Sequence, residues 1–397
     1  MTETYDVIVS GARCAGSPTA MLLARRGHRV LLVDRVTFPS DTPSTHILHP
    51  PGVDALRRWG LLERLVDTGC PSFTDYTFDF GPIVISGSPG TAYCPRRTVF
   101  DRLLVDAARE AGVEVREGFT LEEVLIEAGR VTGIRGHDRG GRSVEERARV
   151  VVGADGKHSR VAAGVGAAVY DEKPVVEGAY YAYFSGVPLT GLEICIRPDR
   201  VVGAAPTHDG QVLVLAAWPV AELDAFRADV EANFLRTLDL SPRIGPLVRA
   251  GTRQSRFHAS GDLPGFLRKP FGPGWALVGD AGYTTDPQTA QGMSDALRDA
   301  GRLAGALDDA LSGRRPYDEA MGDFQRTRDE EVMPMYELTF ELAQLLPPPP
   351  ELQHLLGAAE GNQEAMDAFA SMIAGVLPVP QFFAPDHVER ILAGASA

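Results

Sequence analysis

The chain has 397 residues, 44% of them hydrophobic and 23% charged, a composition that excludes disorder and collagen-like repetition and leaves enough apolar material to enclose a ligand. Its formal charge of −14, from 39 Lys and Arg against 53 Asp and Glu, repels polyphosphate unless basic residues are segregated, and no basic run occurs, so nucleic acid is not expected as a partner. Cys14, Cys70, Cys94 and Cys195 are far apart, without metal-ligand spacing or a disulfide framework, and neither a basic leader nor an apolar stretch of ~18 residues occurs, which predicts a cytoplasmic protein with no metal site and no membrane span.

In chain order, residues 5–10 (YDVIVS) read as an apolar strand, Gly11 to Gly16 as a turn, 17–26 as a helix closed by Gly27, and 29–34 (RVLLVD) as a second strand. Such a β-α-β unit opens a doubly wound sheet. A helix over about 51–67 follows, then an irregular β-like stretch over 72–94, a helix over 98–111 ending at Gly112, and a strand from Val113 to Arg116. Alternation over 119–152, broken by EAGR and DRGG, predicts a small antiparallel meander that leads into the apolar strand ARVVVGAD. Aromatic and β-branched runs between 170 and 260 predict an antiparallel sheet, with a helix near 220–238. The strand WALVGD (275–280) and a helix over 292–312 return to the first fold. In that helix Met293, Ala296, Leu297, Ala300, Leu303, Ala304, Leu307 and Leu311 recur at helical spacing and define a buried face. After Pro347 to Pro350 the tail reads as helical and punctuated by proline.

The first turn, Gly11-Ala12-Arg13-Cys14-Ala15-Gly16, is a GxGxxG frame with Arg13 in place of the middle glycine. Gly11 permits the turn, Gly16 lets helix and strand approach, and the helix N-terminus offers free N–H groups and a positive dipole to a pyrophosphate. Asp34 ends the second strand 23 positions after Gly11, where a carboxylate can accept ribose hydroxyls. By itself the frame does not distinguish NAD from FAD, and a glycine turn that binds nothing is its alternative.

Two later segments are VGADGKHSRV (152–161) and LVGDAGYTTDPQTAQGMSDA (277–296). With the first turn, in this order, they resemble the class A flavoprotein monooxygenase family typified by para-hydroxybenzoate hydroxylase. The resemblance implies an α/β fold: a Rossmann-like FAD-binding domain from 1–72, 95–170 and 265–330, an inserted antiparallel β-sheet substrate domain from 73–94 and 171–264, and a helical C-terminal segment over 331–397. It implies FAD held by Gly11, Arg13, Cys14, Ala15, Gly16, Asp34 and Arg35 at the adenosine and pyrophosphate end, with Arg97 close to the phosphates. Asp155 belongs to an Asp-Gly pair that is equally a turn signal. Asp280, after Gly279, would hold a ribitol hydroxyl, and the helix starting at Gly292 and Met293 would face the flavin pyrimidine, where reduction places negative charge. Pro287 matches the position beside flavin C4a. The chain departs from the family at Tyr283, usually His, and at Thr289, usually Gly.

His46, in a Pro-rich loop expected near the isoalloxazine, is a candidate proton-transfer group because its ordinary pKa is near neutrality; a solvated loop histidine is the alternative. In GAYYAYFSGV, alternation puts Tyr181, Tyr183 and Ser185 on one face and Tyr180, Ala182 and Phe184 on the other, with Tyr181 and Tyr183 the candidate substrate contacts. The implied reaction uses NADPH or NADH and O2 to hydroxylate an aromatic or other electron-rich small molecule through a flavin C4a-hydroperoxide. A separate flavin reductase is a further partner the resemblance allows. A reductase of the geranylgeranyl reductase type shares all the FAD motifs and needs only a longer apolar cavity. A halogenase is disfavoured, since no Lys precedes Lys157 and the nearest approach to its tryptophan motif is Ala217-Trp218-Pro219. A flavin-binding protein without turnover ranks last.

Overall fold

In the computed structural model, which describes residues 4–394, the expected β-α-β unit is present as strand Tyr5–Ser10, helix Gly16–Ala24 and strand Val30–Asp34. The first strand lies between Val30–Asp34 and Ser143–Gly153, both parallel to it, and Glu114–Glu117 and Trp275–Leu277 extend the parallel sheet on either side. Alternation decides which layer each residue serves. Val7, Val9, Val30 and Leu32 pack with helices Gly16–Ala24, Arg97–Glu110 and Gly292–Leu311, whereas Ile8, Leu31, Val33 and Val151 pack with the meander residues Phe119, Leu121, Val124 and Ile134. Each such fully buried aliphatic side chain contributes about 1.5–3 kcal/mol.

Strand Ser143–Gly153 serves two purposes. Its first half pairs antiparallel with Arg130–His137, and from Ala148 onward it pairs parallel with Tyr5–Ser10. The periodic face expected for helix Gly292–Leu311 is buried except at Leu311, which is half-buried.

The second sheet runs in the order Thr252–Arg253, Glu177–Ser185, Gln211–Pro219, Arg200–Pro206, Leu192–Arg197, Tyr76–Asp79, Val84–Gly87. It is antiparallel except where Leu192–Arg197 meets Tyr76–Asp79, which is a parallel pair. Those two strands come from distant parts of the chain, so no hairpin constrains their direction. The stretch expected to be irregular thus supplies two regular strands of this sheet.

Two expected helices are each divided. Gly60, at φ +72, closes Pro50–Trp59 before Leu62–Val66 begins, because glycine enters the left-handed region without a Cβ clash. Asp229 accepts the Ala232 N–H at 3.1 Å and starts Val230–Leu238 separately from Leu223–Arg227. Helix Tyr317–Ala343 passes through position 331 without a break, although Pro334 removes one N–H from its ladder. Helices Pro350–Ala359, Gln363–Ile373 and Pro385–Gly394 follow and pack on the second sheet through Leu355, Phe369, Ile373 and Ile391. Among the described residues no helix is long and apolar enough to cross a membrane.

Candidate active site

One continuous cavity of about 1890 Å³ is lined by residues of both sheets. That is roughly twice the upper range for a site holding one drug-sized ligand (~300–1,000 Å³). Its two ends differ in chemistry.

At the polar end, Gly11 has φ +103 and a Cβ there would stand 2.2 Å from the Ala154 carbonyl oxygen, while a Cβ on Gly16 would stand 1.7 Å from the Gly11 oxygen. Neither position tolerates a side chain, and the following helix begins without a side-chain cap, leaving its first-turn N–H groups for an anion. Gly11, Arg13, Cys14, Ala15, Asp34, Arg35, Arg97, Asp155, Gly279, Asp280, Gly292 and Met293 all line the cavity; Gly16 lies behind it as the close contact between helix and turn.

Asp34 accepts the Ala12 N–H at 2.7 Å and the Val36 N–H at 2.9 Å, which fixes its carboxylate at the cavity wall. Arg35 is exposed beside it. Arg13 and Arg97 converge on Asp101, which is fully buried: Arg97 Nε donates to Oδ1 at 2.9 Å and Arg13 Nη1 donates to Oδ2. Burial alone would lower the Arg97 pKa, but the Asp101 charge outweighs it and the net direction is upward, so the guanidinium stays charged beside the cavity. Sequence reasoning missed Asp101; the Arg97–Asp101 spacing of four on one helix was the available signal.

Asp155 accepts the Ser159 hydroxyl and the Arg160 N–H at 2.7 Å, so it caps helix Arg160–Gly164 while also facing the cavity. Asp280 differs. It lines the cavity, is exposed to it, and makes no side-chain hydrogen bond or ion pair to another of the described residues; the surrounding protein raises its pKa, and Arg97, Lys157 and its own backbone N–H oppose that rise. A carboxylate left without a donor from another residue inside a polar cleft fits a polyol partner. Helix Gly292–Leu311 starts without a side-chain cap, and nothing lies within 4 Å of where a Gly292 Cβ would be. An open, dipole-positive terminus there suits an electron-rich ring edge. These residues fit FAD, which when bound supplies two-electron transfer.

At the junction of the two ends stand Pro287, Gln288, Glu177 and Tyr181. His46 and Tyr183 do not line the cavity, although Thr45 and Ile47 on either side of His46 do. His46, at φ +64 and fully buried, donates from Nδ1 to the Ser44 carbonyl at 2.6 Å and accepts the Tyr183 hydroxyl at Nε2, 3.0 Å away. Burial, aided by the Arg97 charge, pushes its pKa down to about 3. The expectation of a histidine titrating near neutrality is therefore corrected: His46 is a neutral strut behind the wall. Of the two candidate substrate tyrosines, Tyr181 faces the cavity, stacked on His258 at 4.8 Å, and Tyr183 instead carries His46 and Arg96. Tyr180 and Phe184 pack on the other face with Trp218, Phe226 and Phe234.

Beyond Pro287 the wall becomes apolar. The second sheet contributes Phe78, Ile194, Leu213 and Leu215, and the C-terminal helices contribute Leu338, Leu355, Phe369 and Ile373.

The family described as FAD binding domain matches residues 4–228. The chain belongs to this family of class A flavoprotein monooxygenases and halogenases. The flavoprotein is 30% identical over 352 residues to the digeranylgeranylglycerophospholipid reductase of Methanosarcina mazei, covering 84% of this chain and 80% of that one. It is 27% identical over 339 residues to the rifampicin monooxygenase of Streptomyces venezuelae, covering 79% and 66% respectively. The solved structure of the myxobacterial chondrochloren halogenase CndH matches it with a TM-score of 0.79 at 25% identity, over 99% of this chain and 97% of that one. It is an FAD-dependent oxidoreductase.

Trp218 of the flavoprotein, the nearest approach to a halogenase tryptophan motif, points away from the cavity and donates to the Thr237 hydroxyl at 3.1 Å. The two family departures lie at the long helix. Tyr283 packs against Tyr336, and the Thr289 hydroxyl is 2.7 Å from that of Thr339, so both side chains tie the flavin loop to Tyr317–Ala343. All four cysteines are free and buried, and burial raises each thiol pKa, which leaves no reactive thiolate in the site.

Proposed function

We propose that this flavoprotein is an NAD(P)H-dependent monooxygenase that uses O2 to hydroxylate an apolar, electron-rich small molecule, aromatic in its reactive part and larger than a single ring. The observation that carries the reading is the continuity of the cavity: polar groups suited to FAD at one end, an apolar chamber at the other, and Pro287 at their junction. In that arrangement the substrate is held by burial of apolar surface, Tyr181 faces it, and the chamber walls exclude water from the reacting centre. Gly279, Asp280, Gly292 and Met293 hold the ring system in register with it, and NADPH or NADH enters without a nucleotide fold of its own.

The deciding experiment is turnover under labelled dioxygen with polycyclic and long-chain aromatic candidates, the expected result being one labelled oxygen atom in the product. Pro287→Gly is expected to raise hydrogen peroxide formed per product while FAD stays bound; an unchanged ratio removes Pro287 from the junction. A separate flavin reductase becomes the partner if NAD(P)H alone fails to bleach the bound flavin.

The length and apolarity of the chamber favour one second reading, reduction of carbon–carbon double bonds in an isoprenoid-like chain, which the identity with the Methanosarcina reductase also supports. Turnover in the absence of oxygen selects it over hydroxylation.

A further inference from the structure

Strand Glu177–Ser185 starts with a carboxylic acid on the same face as Tyr181, and the loop before Pro287 carries a second one, Asp286. Both line the cavity and both are buried, at 1% and 6% exposure. Gln288 serves the two together: its side-chain amide donates to Glu177 Oε2, and its backbone N–H donates to Asp286 Oδ1 at 3.1 Å. Asp286 Oδ2 is buried and meets no donor among the described residues, and the group that faces it is the Glu177 carboxyl.

Neither acid forms an ion pair among the described residues. The charged group acting on Glu177 is Asp286 and the one acting on Asp286 is Glu177; Glu341, from the long helix, lines the same cavity but is exposed. Two buried carboxylates without a cation cannot both remain ionised at low cost, and a proton between them satisfies the one oxygen left without a donor.

We propose that Glu177 and Asp286 share one proton and form the acid of this active site, releasing that proton toward the reacting atoms beside Pro287. The step rests on the reading of the protein as an FAD-dependent oxidoreductase, and it holds for either outcome at carbon. The carboxyl O–H bond breaks in both cases: in hydroxylation the proton forms an O–H bond on the oxygen atom of O2 that takes the reductant's electron pair and leaves as water, while the substrate carbon exchanges a C–H bond for the C–O bond; in double-bond reduction it forms a C–H bond on the carbon that keeps the π pair once hydride has reached its neighbour. The pair, left with two negative charges, takes a proton back from water. Burial raises both carboxyl pKa values, and the Asp286 charge raises Glu177 further, so the proton is held at low pH and lost as pH rises through the raised values.

Infrared spectra of the holoenzyme near neutral pH test the proton without relying on turnover. The wild-type protein is expected to show a protonated-carboxyl C=O band that is missing from the double variant Glu177→Gln, Asp286→Asn; identical spectra overturn the shared proton. The single variants Glu177→Gln and Asp286→Asn, of nearly unchanged shape, are expected to retain FAD and to be reduced by dithionite as the wild type is. Their product formation should fall about 100-fold, and they should lose the decline in activity at high pH that the wild type shows. Product formation within twofold of wild type overturns the role as acid. A wild-type protein that turns over nothing with FAD defeats the functional reading separately, and the infrared comparison then decides the proton by itself.

Discussion

The two ends of the cavity are built by opposite strategies. The polar end is assembled from short turns in which one residue's backbone is the working part: Gly11 at φ +103, Gly279 at φ +61, and the uncapped start at Gly292. The apolar end is assembled from many side chains that alternate along strands or recur along helices. A site made of backbone fails abruptly when a Cβ is added, whereas a site made of many side chains degrades by degrees.

Gly11→Ala is the harshest test of this difference. Its Cβ would meet the Ala154 oxygen at 2.2 Å in a backbone conformation that L-residues avoid, so the variant is expected to lose FAD and more than about 3 kcal/mol of stability, read by flavin absorbance and denaturant unfolding. Asp280→Ala should remove most of the flavin while leaving the fold intact; full occupancy in the purified variant refutes the polyol role. At the opposite end, Leu215→Trp should leave flavin content unchanged and lower kcat/KM for the apolar substrate about tenfold, equivalent to about 1.4 kcal/mol. Loss of flavin in that variant would show that the two ends are not independent.

Two buried histidines give a smaller effect. Burial pushes His46 down to about 3 and His49 to about 4. Below the ordinary histidine value of ~6.5 the unfolded chain gains protons that the folded chain refuses, so stability present above that pH is lost as pH falls, by up to about 1.4 kcal/mol per pH unit for each. His46→Gln should flatten the decline of urea stability with falling pH by about one such increment. Smallest of all, Trp218→Phe removes one hydrogen bond on the outer face of the sheet, which costs about 1 kcal/mol and leaves activity unaltered.

The same contrast governs what could be read from the chain before its structure. Glycines and acids at fixed spacing announce the flavin turns, because a positive φ or a strand-end carboxylate restricts the residue type at one position. The alternation of GAYYAYFSGV separates the two faces of its strand, yet only the packing of Trp218 and Phe226 against Tyr180 decides which face turns outward. Glu177, Asp286 and Asp101 gave little warning, since an isolated acid in sequence is ordinarily solvated and only tertiary contacts bury it. His46 misleads for the same reason: its ordinary pKa holds in water, and the fold removes the water.

The far wall of the chamber comes from Leu338, Leu355, Phe369 and Ile373, whereas the residues expected to face the flavin end with Met293. A ribosome therefore completes the coenzyme's cradle well before it makes the panels that seal the reaction vessel. On the proposed reading, a nascent or clipped chain lacking those panels is expected to accept its coenzyme and leave the vessel open to water, spending reductant without yield.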